Sequence, residues 1–546
     1  MIQRNVAAVL AALLLATAGC TDDAFLAEVP EDFIGPENFF RNADDAIAAV
    51  NGVYASFNTP NGYGVDDYYG RNFYMLVDYP GESLTSRYGA THDRGSLDAF
   101  NYTVEHPYLP TVWGAAYSAI ASANAVIHNV PGIASMDAGL RDRVAGEARF
   151  LRAVHYFNLV RLFGDVPLRL EYVQRLEQAQ PRPRTPAAEV YAAIVADLDY
   201  AATTLPATYN GVAGTNTGRA TAGAARALLA KVHLQQALVH GGGAASLNAG
   251  IAQARQVVGS GRYQLLTSFE QVFSVENENN AEIIFAIQNE RIAGMGGRLA
   301  QHVAPIGSGL SGANAGGVSF YAEWPFYRDW ADADRRKAAT WLTGYTHPTR
   351  GALTWTRTMT SAQQTNYGTP GGGPSPRKYL DPQAGTGGAE EPDYILLRYA
   401  DVLLMLAEAL NELGGPTGEA FDAVDAVRAR AGLGGLNRTM TQAQLREAIQ
   451  RERRYELVLE GHTFFDMQRH LAWSKARVEA NIAAGKTVAN GGQNLNASPW
   501  GSSVPKVGAN AGVIGDRYRF YPIPAAAIAT NPLLVQTEGW GSTPAS

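Results

Sequence analysis

The sequence predicts a mainly α fold of tetratricopeptide-like helix pairs, with a second, irregular and loop-rich part. Two observations predict it. Apolar residues recur at helical spacing along most of the chain, and several helices fall in pairs of about 35 to 45 residues with small residues at their contacts. Against this stand two long stretches, 61–113 and 320–357, that are dense in aromatics and poor in periodicity.

Taken along the chain, Ile47, Val50, Tyr54 and Phe57 form the first apolar stripe, and Trp113, Tyr117, Ile120, Asn124 and Ile127 the second. That spacing assigns Trp113 to the core. A long helix runs from about Arg141 to Phe163 and stops at Gly164, with Pro167 beyond. Thr185-Pro186 opens the next, with Val190, Ile194, Leu198, Ala201 and Leu205 on one face. Thr221 starts an Ala-rich helix through Val239. Tyr399, Leu403, Leu406, Leu410 and Leu413 make another stripe, closed by Gly414-Gly415, and Phe421, Val424 and Val427 belong to its partner. Thr441-Gln442-Ala443-Gln444 has the form of a capping box before an Arg/Glu-rich helix that ends near Gly461. The Gly/Pro-rich residues 368–392 read as a surface loop.

The N-terminus reads as an export and anchoring signal. Arg4 precedes the apolar or small run Val6–Ala18, which is too short to span a bilayer as a helix. The run closes on Leu15-Ala16-Thr17-Ala18-Gly19-Cys20, the form of a lipoprotein cleavage site, with residues 1–19 as signal peptide. Cys20 is the only cysteine, so no internal disulfide can form, and it falls where a lipid anchor needs a thiol. Thr21-Asp22-Asp23 resembles the acidic tags of surface-exposed bacterial lipoproteins.

Composition narrows the function. The hydrophobic share is 46% and the formal charge −7, so there is a core to bury and no basic field for a nucleic-acid backbone. Gly307-Ser308-Gly309-Leu310-Ser311-Gly312 matches a dinucleotide pattern but leads into Ala-Asn-Ala-Gly-Gly rather than a helix that could hold a pyrophosphate. Neither a zinc-hydrolase His-Glu-x-x-His nor a Gly-x-Ser-x-Gly elbow occurs. Glu452, Glu456 and Glu460 share one helical face, as glycosidase carboxylates could, but Arg451, Arg453 and Arg454 interleave them and favour salt-bridged packing. Glu390-Glu391 reads as solvated, and Asp332-Ala333-Asp334-Arg335-Arg336 as a helix start with charge pairing rather than a calcium loop. No catalytic residue, metal or cofactor is expected.

Five segments, in order, resemble the SusD/RagB family of surface glycan-binding lipoproteins. They are Trp113 to Asn124; Gly146-Glu147-Ala148-Arg149-Phe150-Leu151-Arg152-Ala153 through Gly164-Asp165-Val166-Pro167-Leu168; Tyr394 to Glu408; Glu452-Arg453-Arg454-Tyr455-Glu456-Leu457 through Glu460-Gly461-His462 to Asp466; and Tyr521-Pro522-Ile523-Pro524 with Asn531-Pro532. The resemblance implies four tetratricopeptide-like hairpins in a superhelix, with the ligand site on the irregular face. Residues 20–546 would then form one unit, its N-terminal part (about 20–270) packed on its C-terminal part (about 271–546). It also implies an outer-membrane lipid anchor and, as partner, a SusC-like TonB-dependent outer-membrane transporter. Arg149, Glu456 and Asp466 would serve in buried pairings.

The function so indicated is non-catalytic binding of an oligosaccharide on the cell surface and its delivery to that transporter. Sugar rings present flat C–H faces on which aromatic rings stack. Among the loop aromatics, Tyr88, Tyr321, Trp324 and Trp341 are the expected ligand contacts. Other readings that the residues leave open are a peptide or other nutrient binder in the same kind of complex, and a surface glycoside hydrolase.

Overall fold

The computed structural model describes residues 39–58, 68–88, 92–210, 212, 216–292, 295–313, 316–356, 359, 361–369, 373–386, 389–487 and 515–541. The signal segment, Cys20 and Tyr63 lie outside these residues.

The long helices begin and end where local chemistry dictates. Helix α1 (Ala43–Ala55) starts at Asn42, whose side chain accepts from the amides of Asp44 and Asp45 at 2.9 and 3.0 Å. Helix α2 spans Tyr108–Asn129 and α3 Ala138–Phe163. Asp137 caps α3, and Gly164, at φ 73°, ends it in a conformation that a side chain would resist. From Val144 to Phe163 α3 is buried on nearly every face, which makes it the central strut of the scaffold. Helices α4 (Ala187–Thr204), α5 (Ala222–Val239, capped by Thr221) and α6 (Gly243–Gly259) follow. The C-terminal half contributes α7 (Tyr399–Gly414), α8 (Gly418–Arg430) and α9 (Gln442–Leu457), the last opened by the capping box of Thr441 and Gln444.

Consecutive helices from α2 to α6 pack on one another, α6 packs on α7, and α7 on α8 and α9. The main apolar core cluster draws on residues from Ala46 to Leu534. Among the described residues, the strands pair into four two-stranded antiparallel ladders. They pair β1 (Leu84–Ser86) with β3 (Phe320–Ala322), β2 (Ile283–Ile287) with β8 (Tyr394–Arg398), β4 (Trp341–Leu342) with β7 (Ser375–Pro376), and β5 (Gly344–His347) with β6 (Gly351–Thr354).

The three glutamates form an ion-pair network, but α9 ends at Leu457, so Glu460 lies past the helix, and the partners come from other elements rather than from the interleaved Arg451, Arg453 and Arg454. Glu452 pairs with Arg336 at 2.6 Å and Arg428 at 3.2 Å. Glu456 holds Arg398 at 2.6 Å and Arg336 at 2.9 Å, and also Arg430. Glu460 takes Arg398 at 2.5 Å and Lys378 at 2.8 Å. Asp334 caps the helix Arg335–Thr340 and pairs with Arg336, the helix start expected there. Asp466 pairs with Arg453 and Arg469 in a buried cluster, as the family resemblance implied, whereas Arg149 pairs with Asp197 but keeps part of its side chain exposed.

The described part of residues 368–392 departs from the expected surface loop. Lys378, Tyr379, Asp381 and Glu390 are buried in it. Lys378 is drawn in by Glu460 and by the carbonyls of Glu456 and Val458. Glu390, expected to be solvated, accepts the amides of Ala300 and Gln301 at 2.7 and 3.0 Å.

Buried carboxyls give the fold a pH dependence. Burial pushes Asp78 and Asp393 up to about 7, and Glu278 and Glu390 up to about 8, with the charge of Asp393 adding to the shift at Glu278. The unfolded chain releases such protons near pH 4. The native state therefore binds more protons between pH 4 and 8, and its stability falls as pH rises over that span. Burial holds His155 and His240 down to about 3 and about 4. They act in the opposite sense, but only up to about pH 6.5, above which an unfolded histidine is already neutral. We expect the melting temperature to fall from pH 6.5 to 8. Glu278→Gln, which keeps an acceptor for the Asp393 amide, should flatten that fall. A melting temperature that rises over this interval contradicts the assignment.

Candidate functional site

The two aromatic stretches of the sequence meet at one ladder. Strands β1 and β3 pair in the register Leu84↔Ala322, Thr85↔Tyr321 and Ser86↔Phe320. The pairing extends at both ends, through Arg87 N–H to the Ser319 carbonyl at 3.2 Å and Glu323 N–H to the Ser83 carbonyl at 3.0 Å. Asp98 anchors β1 by accepting the Ser86 amide at 2.8 Å and the Thr85 hydroxyl at 3.2 Å. Tyr88 follows β1 at one end of the ladder. Trp324 opens the short helix Trp324–Asp329 at the other.

Tyr88 is half-buried. Its ring stacks on His92, centroids 4.1 Å apart at 17°. The guanidinium groups of Arg94 and Arg87 lie 5.1 and 5.7 Å from its centroid. Arg94 Nη1 donates to the Tyr88 hydroxyl at 3.3 Å and to Ser319 Oγ at 2.6 Å, tying this corner to the start of β3. A ring held this way loses little freedom when a ligand arrives.

At the other end an aromatic cluster forms its own small core. Val318, Tyr321, Trp355 and Tyr367 are buried in it, and Trp324, Tyr327 and Tyr345 pack against it half-exposed. Tyr327 lies 6.3 Å from Trp324 and 6.0 Å from Trp355, the latter edge-to-face at 75°. The Tyr345 hydroxyl donates to the Tyr367 carbonyl, and the Tyr367 hydroxyl to the Leu342 carbonyl at 3.0 Å.

The four expected contacts therefore divide. Tyr88 and Trp324 keep exposed surface. Tyr321 and Trp341 do not: they are 0% and 1% exposed. β3 is buried along its whole length, Tyr321 facing the small aromatic core, and burial pushes its phenol well up. Trp341 sits in the main core beside Phe326, at 6.5 Å and 81°. Neither presents a ring face, so both leave the site as packing residues. Trp113 also departs from expectation: it is half-buried and lines an open groove, although it packs edge-on against Phe163. Sequence reasoning missed His92, Arg87 and Arg94, whose only signal was a basic, His-containing run beside Tyr88. Tyr327 and Tyr345 stood among the loop aromatics without being singled out.

Other chemistry is thin. The carboxylates Glu452, Glu456 and Glu460 are all committed to the buried cations described above. Among the described residues no group of three or more His, Cys, Asp or Glu could hold a metal ion, and no helix is long and apolar enough to cross a membrane.

In fold, the chain is of the class of the SusD-like helical proteins. A SusD homolog from Bacteroides thetaiotaomicron superposes with a TM-score of 0.79 at 24% identity, over 92% of this chain and 98% of that one. A laminarin binding SusD-like protein does so with a TM-score of 0.69 at 22% identity, over 91% and 100%. Surface glycan-binding protein A from Bacteroides uniformis follows, with 0.66 at 20% identity, over 90% and 99%. The sequence carries the assignment further. The profile of the SusD family matches residues 254–540, and one described as "Starch-binding associating with outer membrane" matches 60–234. SusD-like protein P2 of Formosa agariphila is 30% identical over 481 residues, 84% of this chain and 89% of the relative. The chain belongs to the SusD/RagB family.

Proposed function

We propose that this protein is a non-catalytic binder of an oligosaccharide on the cell surface that passes its ligand to a SusC-like TonB-dependent transporter. Residues 1–19 are its signal peptide, Cys20 carries its lipid anchor in the outer membrane, and residues 20–546 act as one unit. The observation that carries the reading is the β1–β3 ladder, which brings the two aromatic stretches together. Half-exposed rings flank its two ends, Tyr88 with Arg87, Arg94 and His92 at one and Trp324 with Tyr327 and Tyr345 at the other, and together they are the surface we assign to the ligand. Rings offer stacking faces and the charged edge offers donors for hydroxyls. The glycan-binding names of two solved relatives support the same reading.

A glycan array on the unlipidated chain would first identify the ligand. Calorimetry against that glycan should then show Trp324→Ala weakening binding by roughly 5- to 150-fold, the range that ~1–3 kcal/mol covers. Its melting temperature should stay near that of the parent, because Trp324 is half-exposed. If Trp324→Ala and Tyr88→Ala both bind normally, the aromatic surface is not the site. New reducing ends on incubation with mixed glycans would replace binding by hydrolysis.

A further inference from the structure

We infer that the chain carries a second carbohydrate-binding site, in the groove floored by Trp113 and Tyr117 of α2. It rests on the reading that the ligand is a glycan, and it shares none of the residues of the β1–β3 surface. The groove has a volume of about 420 Å³, within the roughly 300–1,000 Å³ of ordinary ligand pockets. Three segments wall it: α2, the turn after α3 with Arg169, Glu171 and Tyr172, and the C-terminal stretch with Asn531.

Its aromatic floor is rigid before any ligand arrives. Trp113 packs on Phe163 at 5.1 Å and 81° and on Tyr117 at 5.1 Å and 53°. Tyr117 is pinned by donating its hydroxyl to the Pro167 carbonyl at 2.8 Å. Tyr172 leans on His128 at 5.5 Å. Trp113 and Tyr172 both keep exposed surface. Such preorganised rings bind at little cost in side-chain freedom.

The polar groups decide what kind of ligand fits. Among the described residues, neither the Trp113 indole N–H nor the Tyr172 hydroxyl has a protein hydrogen-bond partner. Arg169 commits only Nη2, to the Gln180 carbonyl, leaving donors on its guanidinium. Glu171 is held at the rim by Arg182. An apolar occupant would strip water from these groups and replace none of its hydrogen bonds, a cost for every group left unmet. A pyranose lays an apolar face on indole while its hydroxyls meet those donors and acceptors. An open groove, unlike a closed cavity, also lets a chain of sugars run through. Two sites on one chain would raise the effective concentration of a long glycan without any new contact at either.

Fluorine NMR on the unlipidated full chain labelled with 5-fluorotryptophan separates the two sites, since Trp113 and Trp324 report individually. The probes are laminaripentaose, maltopentaose, cellopentaose, xylopentaose, mannopentaose and a galacturonic acid trimer. The expected result is that at least one probe shifts the Trp113 resonance saturably. Ala121→Phe should weaken that titration by about tenfold or more and leave the Trp324 titration unchanged. Ala121 lines the groove on the exposed face of α2, so the substitution fills the groove and spares the core. Trp324→Ala should leave the Trp113 titration intact. If probes move Trp324 and never Trp113, the groove is no sugar site, and the proposed function stands without it. If no probe moves either resonance, both readings fall. A Trp113 resonance that answers only to an added polypeptide makes the groove a protein-docking surface and overturns the inference.

Discussion

Replacing Arg398 by Met should leave the chain unable to hold its native fold at neutral pH. Arg398 is 0% exposed and touches three carboxylates: Glu282 at 2.8 Å, Glu456 at 2.6 Å and Glu460 at 2.5 Å. It also donates to the Glu456 carbonyl at 2.8 Å. Met matches much of the volume but removes the charge, so several buried anions lose a shared cation. Breaking one buried pair typically costs ~3–5 kcal/mol, and a whole domain is stable by only about 5–15 kcal/mol. The remaining cations, Arg336, Arg430 and Lys378, already serve these same carboxylates and cannot move to cover the loss. Urea denaturation at pH 7 checks the expectation through the midpoint. A second readout has a definite sign. Stranded carboxylates have raised pKa values in the native state, so the variant should regain stability as pH falls from 7 toward 5. Arg255→Met, at the exposed pair with Glu419, is the control and should change stability by no more than about 1 kcal/mol. A midpoint for Arg398→Met equal to that of Arg255→Met would mean that the network does not hold the α8–α9 half together.

What the sequence discloses and what it hides follow the range of the forces involved. Caps and stops are local, so Thr221, Gly164 and the Thr441–Gln444 box mark helix ends that the structure repeats within a few residues. Helix α6 left a weak trace, because its stripe of Leu247, Ile251, Ala254 and Val257 is diluted by glycine. Gly250 is there for packing: a Cβ added to it would lie 3.2 Å from His233 Cβ and 3.3 Å from the Ala230 carbonyl of α5. The β1–β3 ladder is the opposite case. Its strands have three residues each and lie more than two hundred positions apart, so neither carries a periodic signal long enough to read. The density of aromatics locates the region of the candidate site but not the members of it. A ring in a loop contributes to composition equally whether it faces solvent, as Trp324 partly does, or an apolar cluster, as Trp341 does. Helical spacing misplaces Trp113 for a related reason. A stripe names the face that is covered, and the segments after α3 and near the C-terminus cover that face of α2 only in part, leaving a groove.

Trp341 and Trp324 therefore make a discriminating pair, although both stood together as expected ligand contacts. Trp341→Ala removes an indole that is 1% exposed, packed against Phe326 and set in β4, which pairs with β7. The cavity left behind cannot collapse easily, because Phe326 is itself fixed by Trp330 at 5.4 Å and Tyr455 at 5.3 Å. A truncation of this kind costs ~3–5 kcal/mol, larger than anything expected for Trp324→Ala in folding. Ligand affinity should be unchanged for the fraction that remains folded, since the ring has no face for a sugar to meet. Chemical denaturation followed by calorimetry at a temperature well below the melt separates the two effects. Early unfolding with normal affinity places Trp341 in the core. Normal unfolding with weakened affinity would return it to the binding surface and require the 341–355 hairpin region to open toward the ligand.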